Sequence, residues 1–594
     1  MSNRRFLLAV LALSACCCAM MLYVEWHSVL TLGFRDPDDA MRYVEVKDFV
    51  AGQNWFDVSQ HRVNPPLGGP MHWSRIVDLP IAALMLLFQP LFGTAVADRL
   101  AVAITPMLLT IALFFMTALA VRRVAGQAVA LVATILLAMS IGILIQFHPT
   151  RIDHHDWQIL MNAITLWAAF DPQKRRGGII AGLAVSLWLH ISAEALPYAA
   201  LFGAFFALHV VYRAAEWPRM LGYMGALVVG STALLIGVHG WSAAFIPYCD
   251  SMSPVYLLPM AVVALMLPLA SHYLGEHSVI RRFLVVAIAA TLGGLTFLFD
   301  GKACMSGPFG GLDPVVYTQW YTQVLEGRPL WDQNPTSAAV IASPFLFGLI
   351  GTVLAIRHAP TPTKRREWLG LASLSLGAIL VALLVMRAMS VAHLFLLAGN
   401  AWLLHDLWTR AQRLRAPVRI VSTLLLFIVT PLGVEAGAIA VLPSDDPAEA
   451  AADHKAGACA SIAGLKGLAA LPKGTIFAPL DIGPSILAFT PHAVIATAHH
   501  RNSVGMKRVI LGFEADTANA AAFVAGTDYL AYCPGSGEIS RYRQKRPKAL
   551  MSDLERNRPP AWLKPISMGK DQPIRVYRVV YAPGTKRIAT PFIQ

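Results

Sequence analysis

Three carboxylates, Asp36, Asp38 and Asp39, crowd into segment 33–43 (GFRDPDDAMRY), directly after an apolar run. A second cluster at 151–158 (RIDHHDWQ) sets Asp153, His154, His155 and Asp156 just after another apolar run. A hard divalent cation such as Mg²⁺ or Mn²⁺ takes carboxylate oxygens and sometimes an imidazole, and it keeps waters or substrate phosphates as its other ligands. Where a chain leaves a membrane, a carboxylate is costly unless it is solvated, paired or bound to metal. The two clusters therefore read as halves of one divalent-metal site at a membrane surface. Such an ion would stabilise the negative charge that develops on a phosphate leaving group. Arg387, alone near one end of a late apolar run, would meet a phosphate with a rigid fork of donors. Glu326 in a later loop, and His190 with Glu194 (HISAE) at another apolar boundary, are further candidates. Plainer uses exist for each residue type. Asp38 and Asp39 suit the first turn of a helix over 40–50, and Asp153 and His155 suit the start of one from Trp157. Glu326 would serve as an ordinary loop carboxylate, and Arg387 as a snorkelling cation.

Such a site needs a membrane scaffold, and the composition supplies one. The 594 residues are 56% hydrophobic and only 14% charged, the signature of a polytopic membrane protein rather than a water-soluble enzyme. The net charge of +13 does not indicate nucleic acid, because the basic residues fall in short clusters between apolar runs. Runs long enough to span lie near 6–33, 94–121, 127–146, 157–170, 178–193, 197–212, 219–243, 255–273, 283–299, 336–356, 368–386, 388–408 and 418–442. They predict about thirteen crossings. Segment 79–93 is apolar but short and reads as an interfacial or re-entrant helix. Arg4 and Arg5 ahead of the first run resemble a signal peptide, and Leu13-Ser14-Ala15-Cys16 resembles a lipoprotein cleavage box. The run continues past that box, so an uncleaved signal anchor is expected.

Lys and Arg sort the connections. Clusters at Arg4/Arg5, Arg122/Arg123, Lys174/Arg175/Arg176, Arg213/Arg219, Arg281/Arg282, Arg357/Lys364/Arg365/Arg366 and Arg410/Arg413/Arg415/Arg419 fall in alternate connections, which are then cytoplasmic. The sorting uses basic residues alone. It nevertheless puts both acidic clusters, the loops 34–93 and 300–335, and Arg387 together on the outer side. The membrane unit is expected over 1–443 and a soluble unit of mixed α/β type over 444–594, also outside. Segment 574–581 (IRVYRVVY) is the clearest strand. Cys459 and Cys533 both fall in that soluble unit and would pair if it lies in an oxidising compartment.

At this point the residues resemble a known family. The layout is similar to the GT-C superfamily of polyprenyl-phosphate-dependent glycosyltransferases, and within it to the catalytic subunit of oligosaccharyltransferase in its archaeal and bacterial forms. Asp36-Pro37 ahead of Arg42 matches the family's aspartate of the first external loop, with Asp38 and Asp39 as alternatives. Segment 64–73 (NPPLGGPMHW) is similar to the Pro, Gly and aromatic pattern of the same loop, and Asp153-His154-His155 resembles the Asp-x-His motif of the next one. Val324-Leu325-Glu326 resembles the glutamate of the large loop, and Leu384-Val385-Met386-Arg387-Ala388-Met389 the lipid-phosphate arginine. The family's Trp-Trp-Asp-Tyr-Gly motif is replaced by Pro479-Leu480-Asp481-Ile482-Gly483. A hydroxyl pocket for an asparagine sequon is therefore not expected.

The resemblance implies transfer of a sugar or oligosaccharide from a polyprenyl-(pyro)phosphate to a glycan, lipid or protein acceptor, with inversion, at a bacterial inner membrane. It implies Asp36, Asp153, His155 and Glu326 as ligands of Mg²⁺ or Mn²⁺, and Arg387 on the donor phosphate. Asp36, Asp38 or Asp39 would orient or deprotonate the acceptor. His190, Glu194, Asp481, His499 and His500 are candidates for the acceptor or the donor sugar. The alternatives are a protein oligosaccharyltransferase and a non-catalytic lipid or glycan transporter.

Overall fold

A backbone in hydrocarbon must satisfy its own N–H and C=O groups, so the apolar runs fold as helices. The computed structural model describes residues 2–442, 447–545, 547–569 and 572–581. Among them, ten helices are long and apolar enough to cross a membrane, and two bent pairs bring the number to twelve. The difference from the thirteen runs has a physical cause. His155–Ala169 has 15 residues, about 22 Å at 1.5 Å per residue, which is short of a ~30 Å hydrocarbon core. Lys174–Ile191 opens on three basic residues. Both pack inside the bundle. Conversely Arg75–Phe92, expected at the interface, meets the length and hydropathy test.

The first apolar run is not one helix. It breaks at Glu25 between Asn3–Val24 and Trp26–Thr31. Glu25 is buried, accepts from Ser28 Oγ at 2.9 Å, pairs with Arg35 and meets His148 Nδ1 at 3.2 Å. A second break, of 67°, separates Gln127–Ala138 from Ile141–Phe147, and a third, of 76°, separates Ala416–Val429 from Pro431–Val441. The second break turns the chain so that it leads directly into residues 148–154. Elsewhere small residues let helices close up. Gly351 and Gly399 meet backbone to backbone where Pro335–Arg357 crosses Met389–Ala411.

The C-terminal unit contains a five-stranded sheet: β1 (Thr475–Phe477), β2 (Ala493–Val494), β3 (Tyr529–Tyr532), β4 (Leu563–Ile566) and β5 (Arg575–Val579), in the order β2-β1-β3-β5-β4. β1 runs parallel to β2 and β3, whereas β5 is antiparallel to β3 and β4. The expected strand at 574–581 is β5. The edge of β2 is covered by the first long loop. Asn64 N donates to the Val494 carbonyl at 2.7 Å, and Val494 N donates to that of Arg62 at 2.9 Å. Met41, Val44, Val63 and Trp73 share one apolar core with Ile476, Ile486 and Val494. The C-terminal unit is therefore seated on that loop. The loop 300–335 also reaches it, through buried Val316 and a 2.8 Å pair between Asp313 and Lys507.

Cys459 and Cys533 form a disulfide, and so do Cys249 and Cys304, a pairing that spacing did not suggest. Cys16, Cys17 and Cys18 stay free in the first helix. The boundary drawn between 443 and 444 lies outside the described residues. Helix Pro447–Ala460 is the first element after it.

Candidate active site

Asp36 is the N-cap of helix Pro37–Val50 and accepts from Asp38 N at 2.9 Å, with Pro37 pre-set for the first turn. Its Oδ2 lies 2.8 Å from Arg151 Nη1. Asp39, one turn in, is buried and shares Arg151 with Asp36. It accepts from Ile152 N at 2.8 Å, Asp153 N at 3.0 Å and Arg151 Nη1 at 3.0 Å. The first acidic cluster thus holds the second by its backbone. Beneath this turn Arg42 is fully buried, 2.9 Å from Asp78, 3.2 Å from Glu45 and 4.4 Å under the Trp73 ring. Its charge is paired, which fixes the helix start.

Asp153 is buried. Its Oδ1 touches the His154 ring, and its Oδ2 lies 3.2 Å from His155 Nε2 and 3.9 Å from Arg151 Nη2. One donor atom from each of Asp153, His154 and His155 lies within 4.8 Å of the others. Beyond these contacts with each other and with His155 and Arg151, neither Asp153 Oδ2 nor His154 Nδ1 meets a further hydrogen-bond partner, although both are buried. Burial alone would raise the Asp153 carboxyl, but His154, His155 and Arg151 outweigh it and hold it well below the usual range. A buried carboxylate between two imidazoles suits a divalent cation.

Arg387 stands in the short turn Met386–Ala388, with Nη1 2.7 Å from Glu194 and Nη2 on Glu326. Gln158 donates to Glu194 at 2.9 Å, accepts from Trp188 Nε1 at 3.0 Å and approaches His155 Nδ1 at 3.3 Å. This chain of contacts joins Arg387 to the His155 side of the cluster. A cavity of about 80 Å³ lies there, lined by His155, Gln158, Glu194, Tyr198 and Arg387. The Glu326 carboxyl is pushed up to about 7, by burial first, against Arg387, with Asp36 and Asp38 adding to it. Asp38 is pushed up to about 8, by burial and then by Asp36 and Asp153. Residues far apart in sequence thus share one electrostatic environment.

The soluble unit forms the roof. His499 Nε2 is buried 3.3 Å from Asp38 Oδ1, its Nδ1 meets Thr497 Oγ1 at 2.9 Å, and its ring stands edge-on to Trp73 at 4.9 Å. Asp481 is half-exposed, with its Oδ2 3.7 Å from Arg541 Nη2. His500 turns away toward Asp250, and His190 packs inside the bundle on the Ser231 carbonyl at 3.0 Å. Arg151 and Gln158 had no role in the sequence reading, yet they link the parts. Arg151 carried a signal, since it is a basic residue on the side that the basic clusters avoid.

The architecture, a multi-pass helical unit whose loops and C-terminal unit enclose a carboxylate, imidazole and arginine cluster, has a fold similar to that of solved oligosaccharyltransferases. The structure is similar to archaeal oligosaccharyltransferase from Archaeoglobus fulgidus in complex with an inhibitory peptide and a dolichol-phosphate, with a TM-score of 0.66 at 15% identity, over 95% of this chain and 73% of that one. It is also similar to the Archaeoglobus fulgidus protein in complex with Zn and sulfate, with a TM-score of 0.60 at 15% identity over 88% and 68%. No protein-family model and no curated protein matches the sequence.

Proposed function

We propose that this chain is a membrane glycosyltransferase that moves a sugar or oligosaccharide from a polyprenyl-(pyro)phosphate donor to an acceptor at the face carrying the soluble unit. The observation that carries the reading is the meeting of Asp36, Asp38, Asp153, His155, Glu326 and Arg387 in one place, with His499 above them. Asp153 and His155, with His154 beside them and Asp36 and Glu326 opposite, would hold the divalent metal. When bound, that ion supplies charge stabilisation at the departing phosphate.

Arg387 would grip the donor phosphate in place of one of its carboxylates, and Glu194 would keep it aimed. An apolar cleft of about 800 Å³, lined by Leu196, Ala199, Met224, Tyr256, Met260 and Phe297, suits the polyprenyl chain. It begins beside Pro197, which lines the Arg387 cavity. Asp38, facing His499 rather than a cation, is best placed to orient the acceptor, whereas Asp36 is occupied by Arg151. Asp39 has a positioning role. Attack opposite the leaving phosphate would invert the anomeric centre. Both disulfides lie on loops or domains at the site's end of the bundle, which supports an oxidising compartment and hence a periplasmic face of a bacterial inner membrane.

The test is release of polyprenyl phosphate from a lipid-linked sugar donor by the purified chain with Mn²⁺ or Mg²⁺. A chelator and Asp153→Asn should each abolish it, and metal should restore only the first. Release unaffected by both would sink the assignment. A sequon peptide, set against glycan and lipid acceptors, separates protein glycosylation from the other outcomes. Movement of an unaltered lipid-linked sugar across vesicles would favour a transporter.

A further inference from the structure

A second group of ligand-type side chains lies outside the site just described. His72 belongs to the first long loop, Asp250 to the connection between two crossings, and His500 to the soluble unit. One donor atom from each lies within 4.8 Å of the others. The His72 and His500 rings are 4.5 Å apart, and His500 Nε2 is 2.7 Å from Asp250 Oδ2. His72 Nδ1 is buried with no hydrogen-bond partner. The Asp250 carboxylate is aimed by the Arg501 fork, Nε at 2.7 Å and Nη2 at 2.8 Å, and Arg501 also donates to the Met71 carbonyl at 2.9 Å and to Ser251 Oγ at 2.9 Å. The neighbouring Cys249 is tied to Cys304, and Phe309 stands edge-on to His500 at 4.9 Å.

The geometry points to a structural transition-metal site of the zinc class at His72, Asp250 and His500, which fastens the first loop and the soluble unit to the membrane domain. Two imidazoles and a carboxylate are a nitrogen-rich set that prefers Zn²⁺ or Co²⁺ to Mg²⁺. An ordinary ion pair accounts for Asp250, His500 and Arg501 but leaves the buried His72 nitrogen without a use. A metal satisfies it. Arg501 then acts as the outer partner that orients the ligating carboxylate. The consequence reaches the active site, because His499, which faces Asp38, is the residue before His500.

The experiment uses the full chain in detergent, stripped with a chelator and titrated with Co²⁺, whose ligand-field absorption reports a nitrogen-containing site. Wild type and Asp153→Asn should both develop the band, and adding His72→Ala or Asp250→Asn to the Asp153→Asn chain, whose other metal site is disabled, should lose it. Thermal unfolding with and without Zn²⁺ covers the case where a histidine variant does not fold: the midpoint should rise on Zn²⁺ addition in both wild type and Asp153→Asn. A band that survives His72→Ala in the Asp153→Asn chain, a band absent from Asp153→Asn, or no Zn²⁺ shift in Asp153→Asn would each overturn the site. Asp153→Asn lacks the transfer chemistry proposed above, so the two readings fail separately.

Discussion

Arg387 is held from both sides, by Glu194 in one helical turn and by Glu326 in the loop. A phosphate arriving there must displace a carboxylate, and Glu326 is the one that neutralises most readily, being pushed up to about 7. The fork geometry matters more than the charge, since a lysine cannot face a phosphate and Glu194 together. Arg387→Lys should therefore keep the fold but lower donor turnover ~100–1,000-fold, the size of losing a directed donor at a developing oxyanion. Turnover within a few-fold of wild type would remove Arg387 from the phosphate site. Asp38 makes a different prediction. In the metal-free chain its carboxyl is pushed up to about 8, by burial and then by Asp36 and Asp153. An unfolded aspartate titrates near ~4. Between those values the folded chain holds the extra proton, so stability falls as pH rises across that window. Thermal unfolding in chelator should show this loss, and Asp38→Asn should flatten the slope. An equal slope in the variant would show that the proton sits elsewhere.

At the scale of elements, helix Pro37–Val50 and the segment leading to His155–Ala169 are one working part. The helix cannot shift without dragging the metal-ligand candidates, because Asp39 holds the amides of Ile152 and Asp153. Removing that carboxylate strands two buried N–H groups, at about 1–3 kcal/mol each. Asp39→Ala should therefore speed amide exchange at 151–154 and lower activity by misplacing Asp153, with Asp39→Asn between it and wild type. Unchanged exchange at those amides would show that the segment is held from elsewhere, for example by Glu25 through His148. None of this coupling is written in a local pattern. The sequence clusters three aspartates, and only the start of the helix decides that Asp36 caps, Asp38 faces the soluble unit and Asp39 points inward. The helix-start reading of the cluster holds, and it leaves the three carboxylates free to serve the proposed site as well.

For the whole molecule, what composition and hydropathy dictate was legible: a many-span helical unit and a C-terminal mixed sheet with β5 as its clearest strand. What depends on long-range pairing was not. The bends near Met139 and Thr430 hide inside runs of unbroken hydropathy. The Cys249–Cys304 bridge joins residues 55 apart, yet both fall on connections that the basic clusters leave outside, so sorting the cysteines by side would have suggested it. His500 differs from His499 only in the direction its backbone turn gives it. The sorting by basic residues also makes the last prediction. If Lys364, Arg365 and Arg366 mark the inner face, then Cys459 and Cys533 lie across the membrane from them. A membrane-impermeant thiol reagent applied to intact cells after gentle reduction should modify Cys459 and Cys533. The same reagent should reach Arg366→Cys, in a chain with the native cysteines of the soluble unit replaced, only after the membrane is opened. Modification of both positions from the same side would place the soluble unit with the basic loops. It would also remove the oxidising compartment, and with it the lipid-linked donor on the site's face of the membrane.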